Sequence, residues 1–129
     1  MSVTHSLTLA INVGSTTLSN TVAKTAGQEI NIDESIPNSS NDLAVAFAIV
    51  RDKLKSLYMV SDKAITVETN NGTTPDDIFS LVANEPVVWH ENGGMAVSSF
   101  LAADITSLFV TNSSGAAAQL QIRSLSDPT

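Results

Sequence analysis

A chain of 129 residues with 43% hydrophobic and only 15% charged side chains has room for one core, and is neither a disordered tail nor a coiled coil. Its net charge of -7 repels nucleic-acid phosphates, and its basic residues (Lys24, Arg51, Lys53, Lys55, Lys63 and Arg123) form no cluster able to release counterions, so no nucleic-acid partner is expected. The absence of cysteine excludes disulfides, thiolate zinc sites and a cysteine nucleophile, and fits synthesis in a reducing cytoplasm.

The first residues, Met1-Ser2-Val3-Thr4-His5, lack a basic region followed by an apolar run. No signal peptide is expected, and no apolar stretch reaches membrane-spanning length, so no membrane partner is expected either. Leu7, Leu9, Ile11 and Val13 then alternate with Thr8, Ala10 and Asn12, the period of a half-buried strand. Gly14-Ser15-Thr16 reads as a turn and Leu18 to Lys24 as the returning strand. After a break at Ala26-Gly27-Gln28, Ile30 and Ile32 resume the alternation, and residues 36–42 form a loop rich in turn formers. Leu43, Val45, Phe47 and Ile49 alternate with three alanines. Alanine favours a helix, but a helix would scatter those large side chains, so the strand is preferred.

Arg51 to Leu54 reads as a connecting turn. Strands follow at Leu57 to Val60, Ala64 to Thr69, Ile78 to Val82, Val87 to His90, Ser107 to Thr111 and Ala117 to Leu125. The stretch Glu91-Asn92-Gly93-Gly94 is expected to be the most flexible and to be exposed. About nine or ten short strands with frequent turns describe a single all-β domain, an antiparallel sandwich or barrel, and the absence of long βα alternation disfavours a parallel α/β fold. Ser56-Leu57-Tyr58-Met59-Val60 is echoed by Ser107-Leu108-Phe109-Val110-Thr111, as if two similar hairpins occupied related places.

Chemistry is sparse. His5 lies in an N-terminal segment read as mobile, and His90 reads as a solvent-exposed histidine at a strand end. Neither has the H-x-x-H spacing of a metal site, so no metal is expected. Asp76 and Asp77 would point to opposite faces of a strand and fit a turn better than an acid/base pair. There is no G-x-S-x-G elbow, and Gly93-Gly94 lacks the lysine of a phosphate loop; no cofactor and no catalytic set are expected. Most aromatics fall on apolar faces and read as core. Trp89 is the exception, because it ends a strand beside the glycine loop.

Several segments in order carry a resemblance: Asp33-Glu34-Ser35-Ile36-Pro37, Val45-Ala46-Phe47-Ala48-Ile49, Leu54 through Asp62, Thr66-Val67-Glu68-Thr69-Asn70, Glu85-Pro86-Val87-Val88-Trp89, and Thr111 through Ala118. Together they resemble small structural proteins from tailed-phage head gene clusters, similar to the jelly-roll cement or decoration proteins on the outside of icosahedral heads. The resemblance implies one jelly-roll-like β-sandwich over residues 1–129, non-enzymatic, made in the host cytoplasm and placed on the outer capsid surface of the virion. It implies the major capsid protein as partner, together with self-association as a homodimer or homotrimer. The N-terminal segment 1–6, read as extended, and the loop 91–99 are the candidate contact regions, with Val3, His5, Trp89, Met95 and Phe100 as candidate interface residues. The alternative reading is a carbohydrate- or receptor-binding sandwich of a tail or fibre, which requires Trp89 exposed in a groove. A third is a small hydrolase on a jelly-roll frame, which would have to use His5 or His90.

Overall fold

The computed structural model describes residues 2–128. Among these, ten strands form in chain order: β1 (Val3–Val13), β2 (Thr16–Ala26), β3 (Gln28–Ile36), β4 (Leu43–Val45), β5 (Leu54–Ser61), β6 (Ile65–Thr69), β7 (Ile78–Leu81), β8 (Val87–His90), β9 (Leu108–Thr111) and β10 (Ala118–Ser126). Two single 3-10 turns, Arg51–Lys53 and Val97–Ser99, are the only helical pieces among the described residues. Period-2 alternation decides which side chains enter the core. In β10, Ala118, Leu120 and Ile122 are buried between Gln119, Gln121 and Arg123; in β6, Ile65, Val67 and Thr69 do the same. Asn70 and Asn84, both at positive φ, end β6 and turn the chain before β8, in a backbone region that Asn tolerates better than most residues.

Strands β3 to β10 form two four-stranded antiparallel sheets, ordered β3-β10-β5-β8 and β4-β9-β6-β7. The pairs β3/β10, β4/β9, β5/β8 and β6/β7 are nested like the arms of one long hairpin. Rolling that hairpin brings β10 against β5 and β9 against β6. This connectivity is that of an eight-stranded jelly roll. Leu57, Met59, Leu120 and Ile122 of the first sheet pack with Val67, Leu108 and Val110 of the second, and Phe47, Leu101 and Ile105 from connecting segments complete the core.

Two sequence expectations are corrected by this topology. The similar segments at 56–60 and 107–111 do not begin hairpins: β5 and β6 lie in different sheets, as do β9 and β10. Both echoed segments are instead inner strands, one in each sheet, which explains their matching apolar alternation. The stretch 43–49 is extended, with Val45, Phe47 and Ile49 buried and the alanines exposed, but only Leu43–Val45 is paired as a strand. Ile49 makes an isolated bridge to Ile105.

β1 and β2 stand apart. They pair only with each other, in register from Val3↔Ala26 to Val13↔Thr16. Their two-residue turn has Gly14 at positive φ in its first position, as a type II′ turn requires. Eleven residues at about 3.3 Å each make an arm of roughly 36 Å. The strand expected over Leu7 to Val13 is present, but its half-burial is not. Leu9, Ile11 and Val13 are 59%, 58% and 62% exposed, and Leu18 is 62% exposed, because no second sheet faces the outer half of the arm.

Asn112 is the polar knot of the core. It is fully buried, its amide donates to the carbonyls of Ile36 (3.0 Å) and Ala116 (2.9 Å), and its Oδ1 accepts from the Ser114 amide at 3.1 Å. It therefore clamps the end of β3 to the turn before β10. Asn112→Ala takes the Asn112 donor from the buried Ile36 carbonyl and the acceptor from the Ser114 amide, so a loss of about 1–3 kcal/mol is expected in urea unfolding, against within about 0.5 kcal/mol for Ile11→Ala on the arm of the dilute chain.

Candidate functional site: the projecting arm and its socket

The outer face of the first sheet carries one continuous cross-strand row. Glu29 (β3) is paired with Leu125 (β10), Leu125 with Ser56 (β5), and Ser56 with His90 (β8). Directly opposed residues of antiparallel strands share a face, so these four residues, remote in sequence, form a single floor. The base of the arm lies across it. His5 reaches Ser56 Oγ through Nδ1 (3.1 Å) and Glu29 Oε2 through Nε2 (3.1 Å), and its carbonyl meets His90 Nε2 at 3.3 Å. His90 Nδ1 accepts from the Asn92 amide at 3.1 Å, so the tautomer with its proton on Nε2 satisfies both ring nitrogens. Leu125, between them in the row, is completely buried.

A chain of charges secures the other strand of the arm. Lys24 meets Glu91 at 3.5 Å, Glu91 meets Lys55 at 3.0 Å, and Lys55 meets Asp127 at 3.4 Å. Asn92 Nδ2 donates to the carbonyl of Ala23 at 2.9 Å. Burial pushes the Glu91 carboxyl up, but the hydrogen bond and charge of Lys55, joined by Lys24, outweigh it and hold Glu91 below the usual carboxylate range. The hydrogen bond that Lys55 donates to Glu91 raises Lys55 above its ordinary value. Glu29 is lowered by hydrogen bonds from the Asn31 amide and from His5.

These contacts correct several sequence expectations. His5 is not in a loose segment; it belongs to β1 and is held by three elements. His90 is not exposed at its strand end but buried at 2% under the arm. Residues 91–94 are exposed, as expected, and form a turn whose first two residues are fastened to Lys55, Lys24 and Ala23. Trp89 is 4% exposed, since it pairs with Leu57 and faces inward; its Nε1 donates to the Met95 carbonyl at 3.0 Å, and its ring stacks on Phe100 at 6.2 Å. The exposed tryptophan required for a sugar platform is therefore absent. Of the other candidate interface residues, Val3 and Phe100 are half-buried, and Met95 is exposed. Met95, Trp89 and Val88 come together with Leu7 and Leu9 of the arm around an apolar hollow of about 240 Å³.

Ser56, His5 and Glu29 stand in the order of nucleophile, base and orienting carboxylate. Ser56 is nevertheless 6% exposed, and it lies mid-strand between the ladders to β10 and β8. The ladders engage the neighbouring peptide groups, so no preorganised oxyanion donor stands beside its hydroxyl. The groove alongside includes Tyr58 and Arg123, and the guanidinium of Arg123 is already engaged by both oxygens of Asp33 (3.1 and 3.2 Å). Asp77 accepts the Ala102 amide at 2.9 Å and Asp76 the Asn70 side chain at 2.6 Å, which are loop-fixing roles. Among the described residues no group of three or more His, Asp or Glu side chains is placed to hold a metal ion, and no helix is long and apolar enough to cross a membrane.

Beyond the socket, the arm has two unlike faces. One presents Leu9/Asn20, Ile11/Leu18 and Val13/Thr16; the other presents Thr8/Thr21, Ala10/Ser19 and Asn12/Thr17, with hydroxyl contacts such as Thr8–Thr21 at 2.9 Å. No residue from 6 to 23 carries an ionisable side chain. The outer arm thus lacks the charges, prolines and bulges with which exposed strand edges are usually protected. Covering each of its four large side chains is worth on the order of 1–2 kcal/mol. Sequence reading missed this surface, although an uncharged 18-residue run in so acidic a chain was a visible signal. No protein-family model, curated protein or solved structure matches the chain.

Glu29 and Glu91 both lie below their ordinary value of 4.5 in the folded chain. Their contribution to stability is therefore fully present above about pH 4.5 and lost as pH falls through the depressed folded values. The fall in urea midpoint between pH 7 and pH 3 is expected to be smaller in Glu29→Gln/Glu91→Gln than in the parent. His90→Ala removes the partners of the His5 carbonyl and the Asn92 amide. Hydrogen exchange is expected to accelerate at residues 4–7, with inner-strand amides of β5 and β10 falling by no more than the global loss of about 1–3 kcal/mol.

Proposed function

We propose that the chain is a structural virion protein, a capsid cement or decoration protein that binds the outer surface of a phage head and stabilises contacts between major capsid proteins. The observation that carries this reading is the arm: a long, uncharged hairpin with an apolar face, fixed at its base and uncovered beyond it. Such an element suits contact with another macromolecule, whereas in the groove beside it Ser56 is buried and the Arg123 guanidinium is engaged by Asp33. Two further features support the reading. The jelly roll is an architecture used by viral capsid domains, although a fold alone fixes no function. A chain of net charge -7, with every acidic residue outside the arm, suits a surface turned away from packaged nucleic acid.

The partners in this reading are the major capsid protein and further copies of the chain. Many copies on a symmetric shell gain strength through avidity, so modest individual contacts suffice. The test is co-sedimentation of the purified chain with expanded, DNA-free heads of the phage that encodes it. Saturable binding that raises the temperature at which the heads rupture is expected. Chain that stays in the supernatant at all head concentrations overturns the proposal.

A further inference from the structure

β3 alternates as any strand does: Glu29 faces the socket, so its neighbours Gln28 and Ile30 face the other way, between the sheets. There they border a hollow of about 300 Å³, at the end of the sandwich where β3 begins and β10 ends. Ile49 and Ile105, both buried, line its inner side and are held together by reciprocal backbone hydrogen bonds of 2.9 and 3.0 Å. One end is closed by the Asp127 amide, which donates to the Lys53 carbonyl at 2.9 Å. Hydrogen-bonded backbone thus frames the hollow, so its shape is formed before any ligand arrives.

On the wall of the hollow stands Ser126, the last residue of β10. It is paired with Gln28 on one side and with Leu54 of the core on the other, so its side chain shares their inward face. Ser126 is 5% exposed, and among the described residues its Oγ is the one buried side-chain oxygen or nitrogen without a hydrogen-bond partner. The preceding inward serine, Ser124, differs: its Oγ donates to the Ile30 carbonyl at 3.0 Å. Buried hydroxyls are nearly always paired, so an unpaired one on a cavity wall marks where a ligand atom can pair with it.

The mouth of the hollow selects against charge. The exposed Lys53 and Asp104 stand there with one unit of each sign, and the Asp127 carboxylate is engaged by Lys55 at 3.4 Å. No net charge remains to hold an ion, and an ion would lose its hydration against Ile30, Ile49 and Ile105.

We propose that the hollow binds a small uncharged ligand: one or two fused apolar rings bearing a single hydroxyl, with that hydroxyl on Ser126 Oγ and the rings against the isoleucines. A cavity of about 150 Å³ holds a single benzene ring, so one of about 300 Å³ accepts two. Rings also lose less freedom on entry than a flexible chain of equal size. Ser126 can donate to the ligand oxygen or accept from it, so alcohols and phenols both fit. Because the hollow and the socket lie on opposite faces of one sheet, this binding is independent of any contact between the arm and a head.

The test titrates naphthol into the full chain and follows the isoleucine methyl resonances by NMR. Saturable shifts at Ile30, Ile49 and Ile105 are expected, with a dissociation constant below about 1 mM, and none at Ile11 on the exposed arm. Ser126→Ala is expected to weaken binding about fivefold while its thermal midpoint stays level or rises, because it removes an unpaired buried hydroxyl. Ala48→Phe, at an exposed position on the wall of the hollow, is expected to abolish the shifts at Ile49 and Ile105 with the fold retained. Shifts that are absent, non-saturable or centred on Ile11 overturn the proposal. So does a Ser126→Ala chain that binds naphthol as tightly as the parent, or that melts lower and thereby reveals a hydroxyl already paired. Undiminished shifts in a folded Ala48→Phe chain overturn it as well.

Discussion

A pleated strand shows side chains on both faces, so every apolar row in a sheet must find a cover. The rolled hairpin of β3 to β10 meets this requirement for its inner rows by packing each sheet against the other. β10 is central to that closure, because it pairs with β3 on one side and β5 on the other. The requirement does not vanish on the outer faces. Leu125 points outward from β10, and it is the base of the arm that hides it. Beyond the base the same pleat continues with nothing from its own chain to cover it, and an exposed apolar stripe is what that leaves.

The join between arm and body is polar, and this has a physical consequence. Apolar packing alone would tolerate a strand sliding by two residues, since Leu7 would then replace His5 over the sheet with its face preserved. Hydrogen bonds do not tolerate it. Only the His5 ring can meet Ser56 and Glu29 together, and a slide would leave those part-buried groups without partners. The Lys24–Glu91–Lys55–Asp127 chain is partly exposed, so each of its pairs contributes little. Acting with the Asn92–Ala23 bond, it fixes the second strand of the arm in the register that the histidine sets for the first. The socket therefore determines how far the arm projects.

The alternation of apolar residues made nearly every strand legible in the sequence, because period 2 is a local property of the chain. Burial was not local. Leu7 to Val13 and Leu120 to Ile122 carry the same kind of signal, yet one stripe is uncovered and the other lies in the core. The difference rests on which strands pair with β1 and β10, a matter of long-range topology. The socket was hidden for the same reason: residues 29, 56, 90 and 125 become neighbours only through three strand pairings. In the sequence, a strand-end position suggests exposure for His90, and the nearby glycine loop suggests it for Trp89. Their real environments are set by the arm arriving from residue 5 and by the inward pleat opposite Leu57. The echoed segments misled in a related way, since similar inner strands of two sheets look locally like similar hairpins.

An uncovered apolar strand pair is an aggregation hazard, and the composition of the arm limits it. If both faces were apolar, arms could stack without end, as in cross-β assemblies. Here Thr8, Ala10, Asn12, Thr17, Ser19 and Thr21 make the second face small and hydrated, so a second layer finds nothing to bury. Charges would have protected the arm more simply, as they do on many strand edges, but they would also have removed the apolar cover that a partner gains. The chain instead confines its thirteen acidic residues to the body and the strands that form it, where mutual repulsion opposes any contact that brings bodies together. Attraction at the tip and repulsion at the base then act at different distances from the core. That separation would leave the arm free for a specific contact while disfavouring unspecific ones through the body.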